Sequence, residues 1–222
     1  DLHADIQETS NLEEEDTEDS DGATVVAADI FIKEALHDGT YAIKNFNYLR
    51  RKTPESIKLP SKVEAEGKEH PISVIGAGCF SDRRELKTVV IPEGYKRIET
   101  NAFKGCKNLE KVVLPKSLQE IEGSAFYGCT KLETLSLPQN NQIREIGTNA
   151  FAQCEELTGS FILHSLEGLG EGAFKECKKL NGIQFLALRK MGESVFSECE
   201  ELEEITLLGE VQEIKEYVFN EC

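Results

Sequence analysis

Seven cysteines and four histidines are the residues of this 222-residue chain best suited to nucleophilic, redox or metal chemistry. A Cys–His nucleophile needs an exposed thiol activated by a basic neighbour. A structural zinc site needs ligands paired at short spacings. Neither pattern is present. His3, His37, His70 and His164 are scattered, and Cys79, Cys106, Cys129, Cys154, Cys177, Cys199 and Cys222 stand 22 to 27 residues apart. The stretch Gly168-Leu169-Gly170-Glu171-Gly172 has a glycine spacing seen in phosphate-cradling loops. Such a loop works between a strand and a helix N-terminus, and no βαβ pattern surrounds this one. Gly76-Ala77-Gly78-Cys79 fails for the same reason. The acidic pairs Glu155-Glu156 and Glu200-Glu201, with Glu203-Glu204, read as a solvated rim more simply than as calcium ligands. The expectation is a non-catalytic protein with no metal and no cofactor.

The spacing of the cysteines has another source. Ala102-Phe103 to Cys106, Ala125-Phe126 to Cys129, Ala150-Phe151 to Cys154 and Ala173-Phe174 to Cys177 repeat one phrase, Ala-Phe-x-x-Cys. Val195-Phe196 to Cys199 and Val218-Phe219 to Cys222 repeat it with valine. A degenerate copy carries Cys79-Phe80, with Arg83 in the later cysteine position. The phenylalanines step by 23, 23, 25, 23, 22 and 23 residues. A fixed period in this range marks a solenoid whose units cannot bury their apolar faces alone. Phenylalanine and cysteine three residues apart share a face of a helical turn. The six equivalent cysteines are therefore expected as a ladder of buried thiols and not as disulfides.

One unit runs from Leu109 to Cys129. Leu109, Val112 and Leu114 form a strand with Val112 and Leu114 inward, and Pro115 ends it. Leu118 and Ile121 begin a second short extended segment, and Gly123-Ser124 lead into a single helical turn with Ala125, Phe126 and Cys129. Leu86, Val89, Ile91, Pro92 and Leu132, Leu135, Leu137, Pro138 follow the pattern. Gln139-Asn140-Asn141-Gln142 then lengthens the turn by two residues. From residue 157 the proline is gone, and Leu163, Leu186 and Leu208 take its place. On that alignment Ser160 replaces an inward aliphatic residue and packs loosely. Six side chains point outward at the strand centres: Val90, Val113, Ser136, Phe161, Gln184 and Thr206. They are the expected binding surface, on a broad concave sheet. Apolar Val90, Val113 and Phe161 suit contact residues, or simply follow the strand preference for β-branched and aromatic residues. The return side carries a mixed-charge row including Lys96-Arg97, Gln119-Glu120, Arg144-Glu145 and Arg189-Lys190, which reads as solvated.

Charge and hydropathy narrow the partners. Ten of the sixteen net negative charges lie in residues 1–22, which contain no Lys or Arg. This block reads as disordered, either a solvated leader or a partner-binding acidic tail. Nucleic acid is excluded as a partner because no basic stripe is present. No apolar run reaches the length of a membrane span. No Asn-x-Ser/Thr acceptor is present, and the redox compartment is left open.

These residues resemble the BspA-like, or treponemal, class of leucine-rich repeats, with a unit similar to L-x-x-I-x-I-P-x-x-V-x-x-I-G-x-x-A-F-x-x-C-x-x. The match covers residues 71–222 as about seven repeats. Asp38-Gly39-Thr40-Tyr41-Ala42-Ile43, Ile57-Lys58-Leu59-Pro60 and His70 to Gly76 look like the lead-in of such an array. The resemblance implies an α/β, right-handed leucine-rich repeat solenoid of short strands and single helical turns. It also implies a β-rich N-terminal cap over 24–70, after an acidic leader at 1–23. It implies a protein partner (host, matrix or complex subunit) and a place on the cell surface or outside the cell. The alternative is an intracellular scaffold or assembly subunit. The array stops at Cys222 without a following strand or polar cap, which reads as a truncated array or one that pairs through that end.

Overall fold

The structure is a computed structural model, and it describes residues 17–18, 22–46 and 54–222. Two stacks of short strands run along it. The strand face holds β1 (Thr17–Glu18), β2 (Thr24–Val25), β5 (Ser56–Lys58), β8 (Thr88–Val90), β10 (Lys111–Val113) and β12 (Thr134–Ser136) in one sheet. After a break it continues as β14 (Gly159–Leu163), β16 (Leu180–Phe185) and β18 (Glu204–Leu207). The return face stacks β3 (Ile32–Ala35), β4 (Tyr41–Lys44), β7 (Lys68–Ile75), β9 (Arg97–Ile98), β11 (Glu120–Ile121), β13 (Glu145–Ile146), β15 (Gly168–Leu169) and β17 (Lys190–Met191). β6 (Lys62–Ala65) pairs with β7 as an antiparallel hairpin.

Equivalent residues of successive units sit side by side, so the sequence period becomes strand register. Val112 lies between Val89 and Leu135, and Ile121 between Ile98 and Ile146, all in parallel pairs. Alternation sends one residue in two to the interior. Val89, Val112, Ile98 and Ile121 are buried, while their strand neighbours are not. A single core runs from Val26 to Val218. Each buried Phe, Leu or Ile stabilises the fold by about 1.5–3 kcal/mol.

The Ala-Phe-x-x-Cys segment is not the helical turn that its spacing suggests. The residues before Ala and before Cys are left-handed, as in Asn101 (φ 60°) and Gly105 (φ 72°) around Phe103. These reversals break helical continuity. The backbone splits its hydrogen bonds instead. Ala102, Lys104 and Cys106 donate to Glu99, Asn101 and Phe103, three residues back. Asn101, Phe103 and Gly105 donate to Gly123, Ala125 and Tyr127 of the next unit, at 2.7 to 3.1 Å. The turns therefore form a third ladder beside the two sheets. Among the described residues the one helical element is the short 3-10 turn Ala28–Ile30.

Phe80, Phe103, Phe126, Phe151, Phe174, Phe196 and Phe219 stack in line, centroids 4.8 to 5.9 Å apart and planes within 6°. Phe46 extends the series, 4.9 Å from Phe80, and Phe31 packs on both. Phe46 donates its N–H to Cys79 O just as Phe103 does to Ala125 O. The unit pattern is therefore seen beyond the copy at Phe80, in β2, β4 and Phe46, within residues 24–70 that are expected as the β-rich N-terminal cap. Of the acidic leader, Thr17–Glu18 is described, and it is a strand paired antiparallel with Thr24–Val25. The expectation of a disordered leader at residues 1 to 16 and 19 to 21 lies outside the described residues.

Candidate protein-interaction surface on the strand face

Six of the seven cysteines are closed off in the core. Cys79, Cys106, Cys129, Cys154, Cys177 and Cys199 are buried and unpaired, and Cys222 is exposed. Each motif thiol donates to the carbonyl of the preceding unit's phenylalanine: Cys106 to Phe80, Cys129 to Phe103, and so on to Cys199 with Phe174, at 3.1 to 3.3 Å. Burial pushes the thiols of Cys106 and Cys199 up to about 12, and those of Cys129, Cys154 and Cys177 well above their ordinary value. Such thiols are neither nucleophiles nor ready metal ligands. Arg83 fills the cysteine position of the first copy in kind, donating from Nη2 to Phe46 O with its guanidinium over the Phe46 ring.

The glycines are steric. A methyl group on Gly147, Gly170 or Gly192 would overlap the backbone of Gly123, Thr148 and Glu171 in the neighbouring unit. Gly168 lies beneath the Glu145 carboxylate. Among the described residues no group of three His, Cys, Asp or Glu is placed to hold a metal ion. No helix among them is long and apolar enough to cross a membrane.

That leaves the strand face. Val90, Val113 and Ser136 are adjacent in register, half-buried, and point outward between the buried rows. Gln184 and Thr206 form the same row in the second sheet. Phe161 is not in it. Its register partner is Ile183, an inward residue, and it is 8% exposed. The outward residue is Ile162, paired with Gln184 and 42% exposed. The cause is one extra residue at the Gly159/Ser160 irregularity: the inward Leu163 stands six residues after Leu157, where Leu114 stands five after Leu109. Ser160 is accordingly exposed and not an inward residue, and His164, not Leu163, takes the proline position. Counting forward from the Cys154-to-Leu157 anchor with an inward aromatic preferred over an inward serine would have found Ile162. Lys58, register partner of Val90, begins the row one unit earlier.

The BspA type leucine rich repeat region matches the chain in six copies, over residues 73–187 and 140–222. Among solved structures, the leucine rich repeat protein of T. pallidum superposes with a TM-score of 0.69 at 25% identity, over 82% of this chain and 81% of that one. A leucine rich cell surface protein from Faecalibacterium prausnitzii gives 0.67 at 25% identity, over 83% of this chain and 55% of that one. No curated protein sequence matches. Family match, strand register and phenylalanine ladder agree: the chain belongs to the BspA-type leucine-rich repeat family, a solenoid of protein-interaction repeats.

Proposed function

We propose that this chain is a non-catalytic binding module of a cell-surface or secreted protein, and that it holds another protein on its strand face. The observation that carries this reading is the outward row itself. Val90 and Val113 in the first sheet and Ile162 in the second are apolar side chains set at strand spacing in the outward row, the valines half-buried and Ile162 exposed. Exposed apolar residues in such a row cost solubility unless they contact a partner. The similarity to a protein described as a leucine rich cell surface protein supports the location. The formal charge of −16 argues against nucleic acid as the partner. The ladder of buried, unpaired thiols favours a second reading, an assembly subunit in a reducing compartment.

The test is capture of extracellular matrix and cell-surface proteins, beside a soluble cell extract, on the immobilised chain and on its Val113→Asp and Ile162→Asp variants. The account expects a matrix or surface protein that wild type retains and the folded variants lose. Equal retention by the variants removes the strand face from the reading. Retention only from the soluble extract favours the assembly subunit.

A further inference from the structure

Among the described residues the ladder of the strand face is interrupted once, between β12 and β14. Before the break the rule is regular. The residue in the Leu114 position donates its N–H to the next unit: Leu59 to Val90 O, Ile91 to Val113 O and Leu114 to Ser136 O, each at 3.0 Å. The next bond in the series would join Leu137 N–H to Ile162 O. That acceptor is taken by the Asn141 side chain, whose Nδ2 donates to Ile162 O at 2.8 Å. At the other end Thr158 N–H still reaches Glu133 O at 3.1 Å. Between these two bonds the strands part and leave a cleft of about 440 Å³.

The cleft is a finished surface in its chemistry. Its floor is core: Leu135 and Phe161 are each 8% exposed, where Val89, Val112 and Ile183 are fully covered. Its walls are two strand edges with Thr134, Ser136, Thr158 and Ser160 along them, and no Asp, Glu, Lys or Arg lines it in a chain that is 30% charged. Two buried polar atoms at the same break have no hydrogen-bond partner, Asn141 Oδ1 and His164 Nδ1, and His164 lines the cleft. Unmade hydrogen bonds at buried groups are costly, and both mark the place where the strand ladder is disrupted. Sheet edges present donors and acceptors at strand spacing, which is the complement of a polypeptide backbone. A sugar would need an exposed ring to stack on, and the ring here lies in the floor.

We infer that the β12–β14 cleft binds an uncharged, extended segment of a partner polypeptide, whose backbone pairs with the strand edges and whose central aliphatic or aromatic side chain sits on Leu135 and Phe161. This rests on the reading of the strand face as a protein-binding surface and gives it a specific seat. The absence of charge in the walls selects against acidic and basic segments, whose desolvation nothing here would offset.

The experiment titrates the isotope-labelled full chain with acetyl-Thr-Val-Thr-Leu-Thr-Val-amide and follows amide shifts by NMR. Two companion peptides carry an N-methylated central leucine or an aspartate in its place. Shifts are expected at Leu135, Leu137, Ile162 and His164, with affinity weakened about tenfold or more by either change. Ser160→Arg and Thr134→Arg, both on exposed positions of the walls, weaken binding likewise, and Val113→Asp outside the cleft does not. No binding at millimolar peptide, shifts elsewhere, equal affinity for the N-methylated peptide, or the same shifts with maltose would overturn the inference. If capture on the strand face is lost with Val113→Asp while these peptides fail, the cleft is wrong and the strand face stands. If peptides bind and capture is lost with Ile162→Asp but not with Val113→Asp, the cleft stands and the row outside it is not the seat.

Discussion

The phenylalanine and cysteine of each motif act on the unit before their own, the ring by stacking and the thiol by donating to a carbonyl. Burial raises the thiol pKa, so the reactive thiolate is scarce at neutral pH. Iodoacetamide should therefore modify Cys222 first, and the six others only as the chain unfolds. Mass spectrometry of the native protein checks this, and rapid labelling of Cys129 or Cys154 would contradict the packing. The roles of these two side chains were legible because a strict period leaves an apolar residue nowhere to go but inward. The left-handed residues beside them were not. Asn101 and Asn149 hint at that conformation, but Gln153, Glu176 and Glu198 adopt it without any propensity for it. There the stacked units impose the turn, and the local sequence merely tolerates it.

Single strands show where one residue of register decides a site. In β14 the extra residue exchanges Phe161 and Ile162 between core and surface, as any one-residue slip must. Phe161→Ala should cost about 3–5 kcal/mol of stability, whereas Ile162→Ala should stay within about 0.5 kcal/mol. Urea melts of the two variants check the order; a larger loss for Ile162→Ala would reverse the assignment. The sequence held the insertion but not its location, since serine or phenylalanine could have faced inward on spacing alone. On the return face, burial and then the charges of Glu120 on β11 and Glu167 before β15 raise the Glu145 carboxyl, with Lys190 opposing. Its folded pKa lies above the unfolded one, so ionisation costs the fold and the cost vanishes once the carboxyl is protonated in both states. Glu145→Gln should raise the melting temperature at pH 7, and the gain should fade as pH falls through the carboxylate range. A gain equally large at low pH would count against like-charge crowding there.

At the scale of the molecule, three parallel ladders and one aromatic stack tie each unit only to its neighbours, so the array is a linear scaffold with its variable residues on the outside. Its N-terminal extent was hidden in the sequence. Phe46 stands 34 residues before Phe80, with Asn45 in place of the alanine and Leu49 in place of the cysteine that would have marked a copy. The hairpin β6–β7 inserted between them breaks the period without breaking the stack. The surface that such a scaffold presents is the claim most worth measuring. A photo-crosslinking residue placed in turn at Val90, Val113, Ser136, Ile162, Gln184 and Thr206, and at Lys96, Gln119, Arg144 and Arg189 on the return side, reads the bound partner directly without destabilising the core. The account predicts crosslinks from the strand row and none from the return row. Crosslinks confined to the return row, or shared equally by both, would contradict it.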